Sequence, residues 1–131
     1  MLNFLIYTRG NRRDYDGWAA AGNTGWSYND VLPYFIKTEN VKIPSIRNSP
    51  FRGKNGYLDI EHAPYVSELH SSFREAGREL GYDYNDPNGS QQLGFSLAQA
   101  TMRNGRRCSA AKAYLRSVAR RPNLHISMNS W

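Results

Sequence analysis

The sequence predicts an α+β fold, with two or three main helices and a small, mostly antiparallel sheet. Three observations carry this. Residues 57–62 and 94–103 alternate at period two, as strands do. Residues 27–40, 67–80 and 109–121 place apolar side chains at helical spacing, with cap-type residues at their ends. Asn104-Gly105 then follows the second alternating run and is the dipeptide of a tight hairpin turn. At 131 residues the chain is long enough for one domain, not two.

The chain opens on an apolar run, Leu2 to Tyr7, with no polar lead-in. Asn3 lies inside it, where an amide costs free energy unless it is hydrogen-bonded. Chain termini are usually frayed and polar, so this run is expected to be an interior segment of a longer protein. A turn at Gly10-Asn11 leads to a charged, aromatic stretch and a short helix from Tyr15 to Ala21, closed by Gly22. Trp18 and Trp26 are expected as core anchors. Ser27 with Asp30 three residues on is a capping-box pattern. It opens a helix to about Asn40 with Tyr28, Val31, Leu32 and Phe35 on one face and a kink at Pro33.

Residues 41–56 are punctuated by Pro44, Pro50, Gly53 and Gly56, and read as a connector, a loop long enough to be functional or mobile. The strand at 57–62 points Leu58, Ile60 and His62 one way and Tyr57, Asp59 and Glu61 the other. Ser67 caps a helix from Glu68 to Leu80 with the stripe Leu69, Phe73, Ala76 and Leu80, and His70 falls off it toward solvent. Asp86-Pro87-Asn88-Gly89 is a turn, and Asn88-Gly89-Ser90 a glycosylation sequon. The strand at 94–103 has small or apolar residues on both faces, which makes it central. Ser109 caps a helix to Arg121 with Ala111, Tyr114, Leu115 and Val118 on one face, stopped by Pro122. Leu124, Ile126 and Met128 alternate as a last strand.

Several chemistries lack their residues. One cysteine and three dispersed histidines make no metal ligand set. Cys108 follows two arginines and precedes a helix, but no His or Asp arrangement supports a reactive thiol, and it reads as a small buried side chain. No apolar run approaches the roughly 20 residues of a membrane helix, and mean hydropathy is -0.70. The net charge is +6, from 17 Lys+Arg against 11 Asp+Glu. It is spread along the chain without a basic block or a nucleic-acid motif, so no nucleic-acid partner is expected. No G-x-G-x-x-G follows a strand, so nothing here cradles a dinucleotide pyrophosphate.

The segment Asn3-Phe4-Leu5-Ile6-Tyr7-Thr8-Arg9-Gly10, with Asp14-Tyr15-Asp16-x-Trp18 after it, resembles the glucose–methanol–choline (GMC) flavin oxidoreductases. The resemblance continues through Gly25-Trp26-Ser27-Tyr28, Val31-Leu32-Pro33-Tyr34-Phe35, Asn104 to Leu115 and Arg121-Pro122-Asn123-Leu124, and is strongest to the insect glucose-dehydrogenase-like branch. It implies an internal fragment lacking both ends of such an enzyme. Residues 1–40 would be the flavin-cover segment and helices of the FAD domain, and 41–56 the connector or lid. Residues 57–122 would be part of the substrate-binding domain, and 123–131 the start of the strand returning to the FAD domain. The implied cofactor is FAD, contacted by the Asn3 side chain and the backbone of Phe4, Leu5 and Ile6. The implied substrate is an alcohol or sugar hydroxyl, with hydride passing from its carbon to the flavin, and Gln99 or Thr101 is a candidate to face it. The family's catalytic histidine lies nearer the C-terminus, so no catalytic residue is carried over to this chain, which is expected to be inactive alone. The resemblance is compatible with a secreted parent, and the sequence itself leaves the compartment open. The rival reading is a non-catalytic basic binding module, which salt-sensitive binding to a polyanion would reveal.

Overall fold

The computed structural model describes residues 3–128 and 130. Leu2, in the first apolar run, lies outside them. The short first helix begins three residues earlier than expected. Asn11 accepts a hydrogen bond from the Arg13 N–H (2.8 Å), and the Asp14 carboxylate accepts one from the Asn11 N–H (3.2 Å). This reciprocal box starts α1 at Arg12 and the helix runs to Ala20. Ser27 and Asp30 form the same box for α2 (Tyr28–Thr38), which continues through Pro33. Asp16 on α1 accepts from the Tyr28 N–H at 2.9 Å and joins the two helices. Trp18 and Trp26 meet edge to face at 5.9 Å but stay about half exposed, so they are not the core anchors expected.

Four strands form one sheet in the order β1 (Glu39–Val41), β2 (Leu58–His62), β3 (Gln99–Arg103), β4 (Arg106–Arg107). The sheet is mixed rather than mostly antiparallel. β1 runs parallel to β2, with Val41 opposite Ile60, while β2–β3 and β3–β4 are antiparallel. A parallel pair needs a crossover, and residues 42–57 supply it. β1 is only three residues long and directly follows α2, so its period is hidden in what reads as a helix end. Asn104 and Gly105 take left-handed φ values of +52° and +72° and close the β3–β4 hairpin, as their sequence predicts.

The core is Val41, Ile43 and Ile60, with Tyr7, Ile46 and Leu58 packed on it. The stretch expected as a connector or lid thus supplies two of the three core residues and also buries Arg52. Gly53 is required there: a Cβ would overlap the Ile36 carbonyl oxygen and come within 2.8 Å of the Glu39 carbonyl.

Other expectations shift. Helix α3 (Leu69–Glu79) forms, but its stripe faces outward, with Leu69 76% and Phe73 66% exposed. Gly77 is the residue it buries, against the Phe95 ring, and His70 is half-buried beside Tyr84 rather than solvated. Of the strand expected over 94–103, only Gln99–Arg103 joins the sheet. Phe95 makes an isolated bridge to Tyr84 instead. The Ser109 hydroxyl accepts from the Lys112 N–H at 3.2 Å, as a cap should. The helix it opens is a π-helical turn, Ala111–Leu115, that runs into a last α-helical turn, α4 (Arg116–Val118). The wider π turn rotates the following side chains, so Ala113 is buried where Ala111 and Leu115 were expected. Cys108 is fully buried, as the bland reading expects. Residues 124–128 form no strand, and Ile126 and Met128 are exposed, since no neighbouring strand among the described residues offers a ladder.

Candidate functional site

The segment that carries chemistry is the one before α1. Tyr7 and Leu5 hydrogen-bond to β3 along the stretch that the two-residue β4 leaves uncovered. The Tyr7 N–H donates to Gln99 O (2.8 Å), and the Thr101 N–H donates to Leu5 O (2.9 Å). Ile6 sits between them as an isolated bridge to Ala100. Leu5 itself has φ +69°, a left-handed conformation that costs a branched residue of order 1–3 kcal/mol. It turns Phe4 and Asn3 off the strand line. The Asn3 side-chain oxygen accepts from the Leu5 N–H at 3.1 Å and closes that turn.

The result is an outward-facing ledge. Phe4 is 92% exposed and Ile6 63%. Among the described residues, no acceptor takes the Phe4 or Ile6 N–H. Two exposed apolar side chains beside two open amide donors suit a flat, largely apolar ring that carries acceptor atoms. Within the apolar run read from the sequence, Phe4 and Ile6 therefore form a surface of this chain, while Tyr7 packs on its core.

Behind the ledge lies a buried ionic cluster that sequence reasoning missed. Glu39, fully buried, accepts from Arg9 Nε at 2.9 Å, with Arg9 Nη2 at 2.6 Å. Its other oxygen accepts from the Gly53 N–H (3.2 Å) and lies 3.4 Å from Arg52 Nε. Arg52 also lies 3.5 Å from Asp86 and donates to Gln99 Oε1 at 2.8 Å. Burial pulls the Arg9 pKa down, but the Glu39 charge and hydrogen bonds outweigh it, and the net shift is upward. For Arg52 burial dominates and the shift is downward. The Tyr7 hydroxyl is buried with no hydrogen-bond partner among the described residues, and burial followed by the Glu39 charge pushes its pKa well up. Charged residues this far apart in sequence have no spacing signature, so only their meeting reveals them.

Gln99, a candidate to face substrate, belongs to this cluster. It is 3% exposed and bonds Arg52, Asn88 and Asp86. Thr101 is tied to Leu5 O through its backbone N–H and, at 3.4 Å, its hydroxyl. Neither is free to meet a ligand. Asn88 of the sequon is 4% exposed; its side-chain oxygen accepts from the Arg9 N–H at 2.8 Å, and its nitrogen donates to Tyr7 O and Gln99.

An apolar cleft of about 590 Å³ opens between Tyr7, Tyr15, Trp26, Val31, Tyr34 and Phe35. Its walls carry no carboxylate, amine or imidazole, so it offers shape without acid–base chemistry. The histidines are not gathered either. His62 Nδ1 lies 3.3 Å from Ala98 O, His70 packs on Tyr84, and His125 is exposed. Among the described residues no three His, Cys, Asp or Glu could hold a metal ion, and no helix is long and apolar enough to cross a membrane.

Known proteins place this geometry in context. A sequence model of the family described as GMC oxidoreductase matches residues 1–130. Glucose dehydrogenase (FAD, quinone) of Drosophila melanogaster is 47% identical over 131 residues, which cover 99% of this chain and 21% of that protein. Oxygen-dependent choline dehydrogenase of Brucella anthropi is 44% identical over 126 residues, 95% of this chain and 22% of that protein. An FAD-dependent oxidoreductase from Chaetomium thermophilum superposes with a TM-score of 0.83 at 30% identity, over 96% of this chain and 24% of its own. The chain thus spans about a fifth of the length of the curated relatives it matches.

Proposed function

Because the chain belongs to the GMC oxidoreductase family, we propose that it is the flavin-facing segment and first part of the substrate domain of an FAD-dependent enzyme that oxidises an alcohol or sugar hydroxyl. The observation that carries this is the ledge at Asn3–Ile6, with exposed Phe4 and Ile6 and open amide donors at a left-handed turn. When bound, FAD supplies the hydride acceptor. This chain's share is to hold a flat ring. The Asn3 side chain keeps the turn closed, the Phe4 and Ile6 N–H groups are available to ring acceptors, and the Phe4 and Ile6 side chains keep water off one edge. Fixed donors of this kind cost no reorganisation when charge develops on the ring.

Among the described residues there is neither a pyrophosphate cradle nor a base poised for the hydroxyl proton, and residues 1–131 alone are expected to be inactive. The outward stripe of α3 and the half-exposed Trp18–Trp26 pair fit the same reading. Contiguous exposed apolar faces mark contact surfaces, and here they would pack against the remainder of a longer enzyme. The substrate class follows the relatives, whose names specify glucose and choline dehydrogenases.

The test is to purify the full-length protein carrying this chain and record its visible spectrum before and after anaerobic addition of simple alcohols and sugars. One bound flavin per chain, bleached by at least one hydroxyl substrate, is expected. A protein that neither purifies with FAD nor takes it up would overturn the proposal.

A further inference from the structure

We propose that Arg107 is the positioning residue of the Asn3–Ile6 ledge, gripping it from the β3–β4 hairpin and setting the angle it presents to the flavin; this rests on the flavin-facing reading above. The ladder that ties the segment to β3 ends at Leu5, where the left-handed φ carries the chain away from the strand. Beyond it, Asn3 is held by one side chain from elsewhere in the described chain. Arg107 Nη1 donates to Asn3 Oδ1 at 2.8 Å, and Nη2 donates to the Asn3 carbonyl oxygen at 3.0 Å. The two donors of one planar guanidinium thus fix both the side chain and the backbone of Asn3, which fixes orientation as well as distance. Because Oδ1 also accepts from the Leu5 N–H, the grip passes directly into the turn that shapes the ledge.

The base of the grip is stiff. Arg107 pairs with Met102 in the hairpin, and its carbonyl accepts from Lys112 Nζ at 3.4 Å. The Glu61 carboxylate on β2 accepts from the Asn104 and Gly105 N–H groups, at 3.1 and 3.4 Å, and braces the hairpin tip. Arg107 makes no ion pair among the described residues, and Asn3 is the only residue its guanidinium bonds among them. Nothing in that pattern serves the small core around Ile60. A guanidinium held this way suits alignment better than bulk stability.

Three variants of the full-length flavoprotein test this: Arg107→Gln, Asn3→Ala and the double substitution. The readouts are FAD dissociation and the visible circular dichroism of the bound flavin, with far-ultraviolet dichroism as the folding check. Each single variant should retain the fold, weaken FAD retention about tenfold, the scale of losing charge-assisted hydrogen bonds, and alter the flavin dichroism in the same sense. The double variant should fall well short of the product of the two single effects, since both break the bond between Arg107 and Asn3 Oδ1; only the Arg107 bond to the Asn3 carbonyl and the Leu5 N–H bond to Oδ1 are lost separately. Arg107→Lys keeps the charge but not the two-pronged grip, and should fall between wild type and Arg107→Gln; with Asn3→Ala it carries the test if the Gln variant does not fold. Unchanged retention and dichroism in Arg107→Gln, or single effects that multiply to about a hundredfold, would overturn the proposal. Wild-type protein that binds no flavin overturns the functional reading and this inference together, whereas a flavin-loaded wild type with an indifferent Arg107→Gln overturns the inference alone.

Discussion

Removing the Glu39 carboxylate should be among the most damaging single changes in this chain. Glu39 is fully buried at the start of β1, and its two oxygens bear on Arg9, Arg52 and the Gly53 N–H. In Glu39→Ala the Arg9 guanidinium, 5% exposed, keeps its cation–π contact with Phe35 but loses its carboxylate. Arg52 retains Asp86 at 3.5 Å. One buried cation is therefore left without a counter-charge, a change that costs about 3–5 kcal/mol. Glu39→Gln keeps the shape and an acceptor for Gly53 but loses the charge, and should cost about 1.5–3 kcal/mol, the worth of hydrogen bonds to a charged group. Folded proteins hold only about 5–15 kcal/mol in total, so the Ala variant should lose a large part of its stability. Urea unfolding of the purified protein at neutral pH reads the difference, with the slope checked for constancy. A loss below about 1 kcal/mol for Glu39→Ala, the scale of exposed ion pairs, would refute the buried-cluster argument.

Four further outcomes are expected. Tyr7 has a folded pKa above its ordinary value of 10.0, because of burial and then Glu39. Above pH 10 the unfolded phenol sheds its proton while the folded one keeps it, so the unfolded state binds fewer protons and stability falls as pH rises. Tyr7→Phe should flatten that fall, leaving the part owed to Tyr15 and Tyr114, whose pKa values burial also raises; an identical alkaline slope in both proteins counts against it. Gly53→Ala should cost roughly 1–3 kcal/mol or more through overlap with the Ile36 and Glu39 carbonyls, read as a lowered unfolding midpoint. Asn88, with both side-chain atoms engaged and 4% exposed, should be found unmodified by peptide mass mapping of folded protein from a secretory host. Asn88→Ala should cost about 1–3 kcal/mol by orphaning the buried Arg9 N–H.

Some of this was legible in the residues alone. The Ser27–Asp30 box and the Asn104-Gly105 turn depend on contacts a few positions apart, and the strand around Ile60 shows a period of two in its own residues, so residue types announce all of them. The resemblance on Asn3 to Gly10 singles out the segment, but not the left-handed turn that shapes it into a ledge. Periodicity marks which face of an element is apolar but not what covers it. That is why the α3 stripe reads as core and stands exposed, and why Phe4 and Ile6 of the apolar opening run stand exposed while Tyr7 packs on the core. The parallel β1 was too short to show a period, and the π-helical turn shifted a helical phase that no residue type announces. Only tertiary structure brought Glu39 between Arg9 and Arg52, and Arg107 onto Asn3 across 104 positions. Such pairs are chosen by geometry in three dimensions, and polar residues far apart along the chain carry no local pattern that tells which will meet.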